Sequence, residues 1–128
     1  MKRIVVSMQN GLLAESITRI LEESNEFLIY RSVIGSRNSL AADCAMYGAE
    51  IVLMEASLGL GSSLQSRLAE TKQIKTANPV CKVVVLCDEN TAPDLAREVV
   101  LAKKDGLVDG FLYSPVTGSY LVAALASL

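Results

Sequence analysis

Ile51-Val-Leu-Met-Glu-Ala-Ser-Leu58 sets four apolar residues in a row, ends the run on one carboxylate, Glu55, and passes into a loop of small residues. A short unbroken run of this kind reads as a strand covered on both faces, because a strand with one wet face alternates apolar and polar side chains. Taking its core as Ile51 to Met54, four more runs have the same character: Arg3 to Ser7, Phe27 to Val33, Lys82 to Cys87 and Gly110 to Tyr113. They read as parallel strands.

The segments between them have helical spacing. Leu13, Ile17, Ile20 and Leu21 form one apolar stripe, with Glu15, Arg19, Glu22 and Glu23 on other faces and Asn10 placed as an N-cap. Ser36 is expected to cap a second helix carrying Leu40, Cys44 and Tyr47. Ser62 or Ser63 opens a third, bearing Leu64 and Leu68 and ended by Asn78-Pro79. A fourth starts near Pro93, carries Leu95, Val99 and Val100, and stops at Gly106; a fifth runs from about Thr117 to the end.

Alternating strands and helices joined by right-handed crossovers leave few topologies, and five such units point to an α/β fold with three layers, a doubly wound open parallel sheet between helices. Ligand chemistry in these sheets gathers at the carboxyl ends of the strands. The segments to examine are therefore Ser7 to Asn10, Glu55 to Gly61, Cys87 to Asn90 and Ser114 to Thr117.

Composition narrows the chemistry. The 128 residues suit one domain with its own core; 51% are hydrophobic and 20% charged, which fits a globular chain. The 12 basic and 14 acidic residues are interspersed and sum to −2, so there is no basic stripe for nucleic acid and no polybasic patch for a membrane. No apolar stretch approaches the ~18 residues of a membrane span, and Met1-Lys-Arg-Ile-Val-Val-Ser7 lacks a signal-peptide core, so a cytoplasmic location is expected. Histidine is absent, which removes Ser-His and Cys-His dyads and imidazole metal sites. Cys44, Cys81 and Cys87 lie in apolar segments without metal-like spacing and read as buried free thiols.

Ala49-Glu-Ile-Val-Leu-Met-Glu55 resembles the third strand of a response-regulator receiver domain, where the pattern ends on the aspartate that accepts phosphate. Asp109-Gly-Phe-Leu-Tyr-Ser-Pro115 is similar to the fifth strand of that family, where an aromatic precedes a Lys-Pro pair. The resemblance covers the whole chain and leans toward receivers fused to helix-turn-helix output domains. It implies a flavodoxin-like (CheY-like) sheet in the order 2-1-3-4-5, an order that comes with the family and not from the spacing of the runs.

Carried over by position, the resemblance puts Glu55 at the phospho-acceptor and Met8-Gln9 at the acidic pair that holds a divalent cation, or Ser7-Met8 one register earlier. Cys87, Phe111 and Ser114 fall at the switch positions, Ser114 where the family has lysine. Without the acidic pair or the lysine, little remains to hold Mg²⁺ or to pair with phosphoryl oxygens. The expectation is a non-enzymatic, atypical receiver over residues 1–128, acting in signal transduction and transcription regulation through protein contacts, with no cofactor and no metal. Its partner is expected to be a second copy, along the side from the fourth strand to the fifth helix, or an output domain following Leu128.

Several features stay open at this stage. Glu55 either mimics the phosphorylated state, reaching toward Cys87 and Ser114, or belongs to a drifted site and bonds loop amides or water. Gly59-Leu-Gly-Ser-Ser63 reads as a flexible turn rather than a phosphate cradle, since it lacks the lysine of a Walker motif. Asp88 and Glu89 read as solvated loop acids and Cys87 as an inert thiol. The last helix carries no charge from Gly118 to Leu128, which marks Tyr120, Leu121 and Leu125 as interface candidates. The alternative to a receiver is a small-molecule domain binding nucleotide or flavin at the same strand ends, against which Ser7-Met-Gln-Asn-Gly11 lacks a hydroxyl-rich phosphate loop.

Overall fold

Runs of Val, Ile and Leu at the predicted places pair into one parallel sheet. In the computed structural model, which describes residues 1–59 and 61–128, the strands are β1 (Lys2–Ser7), β2 (Phe27–Ser32), β3 (Ile51–Glu55), β4 (Lys82–Cys87) and β5 (Gly110–Tyr113). Their order is β2-β1-β3-β4-β5. The helices are α1 (Gly11–Glu23), α2 (Leu40–Tyr47), α3 (Leu64–Ala77), α4 (Pro93–Lys104) and α5 (Gly118–Ala126). This is the three-layer doubly wound α/β architecture expected from the alternation of runs.

β3 shows why the strands carry no polar alternation. Ile51 and Leu53 pack with Ala14, Ile17 and Leu21 of α1 and Leu121 and Leu125 of α5, whereas Val52 and Met54 point to the opposite layer and meet side chains of α2, α3 and α4. Both faces of the strand are dry. Fully burying a Leu, Ile or Val side chain contributes about 1.5–3 kcal/mol each, so the central strands carry much of the fold.

Helix starts follow the side-chain oxygens. Asn10, Ser63 and Thr117 accept from Leu13, Ser66 and Tyr120 amides at the starts of α1, α3 and α5, and Pro93 opens α4. The second helix departs from expectation: its cap is Ser39, whose hydroxyl accepts from Ala42 N at 3.1 Å. Ser36 instead donates to Asn38 O at 3.1 Å in the turn ahead of the helix. α2 ends at Gly48, whose φ of 65° lets its amide reach the carbonyls of Ala45 and Cys44.

The interface candidates on α5 divide. Leu121 and Leu125 are 1% and 0% exposed, because they insert between α1 and the sheet. They are core residues and not docking residues. Tyr120 is 62% exposed and stays on the outside. Having no charge of its own, α5 is held at its carboxyl end by Lys2, whose ammonium donates to Ala126 O at 3.2 Å and to Leu128 O.

At the amino edge of the sheet, Asp109 accepts from Val83 N at 2.7 Å and pairs with Lys75, which also donates to Cys81 O at 2.7 Å. Burial pushes the Asp109 carboxyl up, but the Lys75 and Val83 hydrogen bonds outweigh it and leave its pKa below the ordinary range. A carboxyl depressed on folding stabilises above the unfolded-state value of about 3.9, and that stabilisation is lost as pH falls through the folded-state pKa. Asp109→Asn is therefore expected to lower the urea midpoint at pH 7, and the gap to wild type should close as the pH is taken below about 4.

Candidate functional site

The carboxyl ends of β3 and β4, Ser114 just after β5, and the start of α1 with its cap Asn10 line one cavity of about 330 Å³. Glu55, Cys87 and Ser114, from three strand ends, line it together with Asn10, Asp88 and Thr91 from the loops, and Leu13, Leu58 and Leu95 supply an apolar side. Of the residues singled out by position, these three come together. Met8 does not join them: it is 7% exposed and packs with the α1 and α5 layer, because the strand alternation turns it away from Ser7. Gln9 is exposed, and Phe111 is half-buried, tilted against Tyr113 with ring centroids 5.4 Å apart.

Glu55 sits at the last pairing position of β3, opposite Leu86. Its Oε1 accepts the amides of Gln9 at 2.8 Å and Asn10 at 3.1 Å, which ties the end of β3 to the loop that starts α1. The carboxylate thus bonds loop amides, and among the described residues neither Cys87 nor Ser114 is a hydrogen-bond partner of it. Asp88 folds its own loop in the same way, its Oδ1 accepting from Asn90 N at 2.9 Å and Thr91 N at 3.3 Å. Ser114 N donates to Cys87 O at 2.8 Å, and the Ser114–Pro115 peptide bond is cis.

The side chain that organises this end of the sheet is Arg67, which reading by residue type passes over. It is 0% exposed. Its Nε donates to Glu55 O at 2.7 Å, one terminal nitrogen to Ser7 O at 2.9 Å, and the other to Ser7 Oγ at 3.0 Å and Glu70 Oε1 at 3.1 Å. The fork of the guanidinium fits two strand-end carbonyls that an ammonium could not span. Burial lowers its pKa and Glu70 counters that shift; the group starts so high that it stays charged. A signal was present in the sequence, since Leu64, Arg67, Thr71 and Ile74 share one helical face and are all buried.

The loop after β3 is closed by a hydrogen bond from Ser57 N to Ser62 O at 2.8 Å and by the hydroxyl pair Ser57–Ser62. Leu60 of this loop lies outside the described residues. Gly61 has φ 81°, and a Cβ there would stand 2.9 Å from Ile34, so the turn needs glycine for both conformation and space. The cysteines are inert by environment: burial pushes the Cys87 thiol up to about 11, with Asp88 and Glu89 adding to it, and the Cys44 thiol up to about 12.

The position at which receivers carry an acidic pair for a divalent cation supplies no carboxylate here. Met8, expected there from the resemblance, is packed in the core, and Gln9 brings no charge; among the described residues no group of three His, Cys, Asp or Glu is placed to hold a metal.

No family model matches the chain, and no curated protein matches it by sequence. Solved structures do match it over nearly its full length. A CheY-like protein, tadZ, from Pseudomonas aeruginosa PAO1 is 20% identical with a TM-score of 0.74, covering 99% of this chain and 98% of that one. The RcsB response regulator of Salmonella typhimurium is 17% identical with a TM-score of 0.73, covering 99% of this chain and 58% of that one. A LuxR-family DNA-binding response regulator from Staphylococcus aureus is 13% identical with a TM-score of 0.73, covering 99% and 98%. The chain has the CheY-like receiver fold.

Arg67→Met would leave two strand-end carbonyls and Glu70 without their donor. Removing one member of a buried ion pair costs about 3–5 kcal/mol, and with Glu70 partly exposed the lower end is expected, about 3 kcal/mol by urea denaturation. Arg67→Lys should recover less than half of that loss.

Proposed function

We propose that residues 1–128 form an atypical receiver domain that acts in signalling through protein contacts and takes no phosphoryl group. The observation that carries this reading is the Glu55 carboxylate, at the acceptor position, occupied by the Gln9 and Asn10 amides in a site with no acidic pair and no lysine. In this reading Glu55 is a tie between β3 and the loop before α1, not an imitation of a phosphoryl group, which carries about −1.5 to −2 charge. The domain is not an enzyme. It works in the cytoplasm, and among the described residues no helix is long and apolar enough to cross a membrane.

Its partner surface is the face formed by α4, β5 and α5. Val100 and Leu101 of α4 and Tyr120 of α5 are exposed at 36%, 55% and 62%, on hollows that share Tyr113 of β5, and such apolar exposure favours contact with a second copy or an output domain. The reading as a nucleotide or flavin binder finds less support. The charged residues lining the cavity, Glu55 and Asp88, are both acids and repel phosphate.

Incubation with Mg²⁺ and acetyl phosphate or beryllofluoride should leave the intact mass and the amide spectrum unchanged; a stable adduct at Glu55 or Asp88 would overturn the reading. Glu55→Ala is expected to cost about 1 kcal/mol of stability by losing the amide acceptor, Glu55→Gln less, and neither should alter the oligomeric state. A change of oligomeric state or of Phe111 packing in either variant would restore the mimic role.

A further inference from the structure

Cys44 on α2 and Cys81, just ahead of β4, are far apart in the sequence and share one cleft in the fold. The backbone brings them there: Ala49 N donates to Cys44 O at 2.9 Å, Lys82 N donates to Glu50 O at 2.9 Å, and Ile51 lies opposite Lys82 in the sheet. Both cysteines belong to the core on the α2 and α3 side of the sheet and line a cavity of about 220 Å³ whose other walls are short, among them Ala45, Gly48, Ala49 and Ala77. Cys44 is 7% exposed and Cys81 1%. Among the described residues the Cys44 sulfur has no hydrogen-bond partner, and the Cys81 sulfur reaches only the Lys82 carbonyl, at 4.0 Å. Burial pushes the Cys44 thiol up to about 12, and the next contribution is the Cys81 sulfur, ahead of the adjacent Asp43, so the two sulfurs lie near one another. Burial also raises the Cys81 thiol, and the Lys75 ammonium, which donates to Cys81 O at 2.7 Å, pulls against it.

The chemistry of the pair selects among occupants. The cleft is below the range of about 300–1,000 Å³ that organic ligands fill. Mg²⁺ and Ca²⁺ take six or more oxygens, and the two sulfurs offer none. Zn²⁺ takes four ligands in a tetrahedron, and among the described residues no third His, Cys, Asp or Glu joins the pair. A soft monovalent ion such as Cu(I) selects thiolates and is satisfied by two of them on opposite sides. Coordination deprotonates a thiol outright, so thiols that are inert toward electrophiles because they keep their protons stay open to such an ion. The resulting complex carries one negative charge, and Lys75, shared with Asp109, is the cation beside it.

We propose that Cys44 and Cys81 form a two-coordinate site for a soft monovalent metal ion, Cu(I), in the cleft between α2 and α3. Binding follows Cu⁺ + 2 RSH → [Cu(SR)₂]⁻ + 2 H⁺. Two copper–sulfur bonds form and two S–H bonds break, no electron is transferred, and the protons leave to water past the exposed rim at Ala45 and Asn78. The site lies where β3 and β4 begin, at the opposite end of the strands from Glu55 and Cys87, and does not rest on the reading of the chain as a receiver.

The test is a titration of the whole, reduced chain, without oxygen, against Cu(I) supplied as its coloured bicinchoninate complex. One copper per chain should transfer, and X-ray absorption of the loaded wild-type protein should report two sulfur neighbours and no nitrogen or oxygen. Cys44→Ser and Cys81→Ser should each weaken the ion at least about a hundredfold, since removing even the partner of a metal ligand costs about 10–100-fold. Amide spectra of the two variants check that the fold is intact; the wild-type stoichiometry and absorption decide the matter if it is not. No transfer of copper, a neighbour shell containing nitrogen or oxygen, binding retained in either folded single variant, or displacement of the copper by equimolar Zn²⁺ would each overturn the proposal.

Discussion

One guanidinium holds the working end of this sheet together. Arg67 reaches from α3 beneath the ends of β1 and β3 and takes the carbonyls of Ser7 and Glu55, the last residues of the two central strands. Strand-end carbonyls have no further ladder partner, and burying them unpaired is costly. By supplying both from a single rigid group, Arg67 fixes the relative position of β1, β3 and α3. The Glu55 carboxylate then adds a tie on the solvent side, to Gln9 and Asn10.

The two ties divide the labour by chemistry. A buried cation is tolerated because its hydrogen bonds go to backbone oxygens and Glu70; a half-buried anion is tolerated because backbone amides point at it. Neither requires a bound ion or a phosphoryl group to be complete. A strand-end site assembled in this way ties its loops with its own side chains. It does so on the scaffold of the CheY-like receiver fold.

Much of the fold was legible because both faces of the central strands are dry, so Ile51 to Met54 and Lys82 to Cys87 could not be mistaken for amphipathic segments. Asn10, Ser63, Thr117 and Pro93 marked helix starts because few residue types suit those positions. The site was legible in part: Glu55, Cys87 and Ser114 do share one cavity. Two readings went astray and one residue was passed over, for physical reasons. Arg67 was hidden because arginine is ordinarily a surface residue, and only its register with Leu64, Thr71 and Ile74 betrays burial. Leu121 and Leu125 were taken for a docking face because an uncharged helix says nothing of which neighbour already covers it; α1 does. Ser36 and Ser39 are equal as cap residues, and the turn that consumes Ser36 is invisible to spacing alone.

The grip of Lys2 on the last carbonyls of α5 joins positions 124 and 126 residues apart along the chain. α5 is short, without ion pairs of its own among the described residues, and docked by Leu121 and Leu125. Such a helix depends on its packing against α1 and the sheet, since an isolated helix of 9 residues is marginal in water. Its detachment would expose Leu121 and Leu125 while the central strands remain paired. The fifth helix is latched by the first strand.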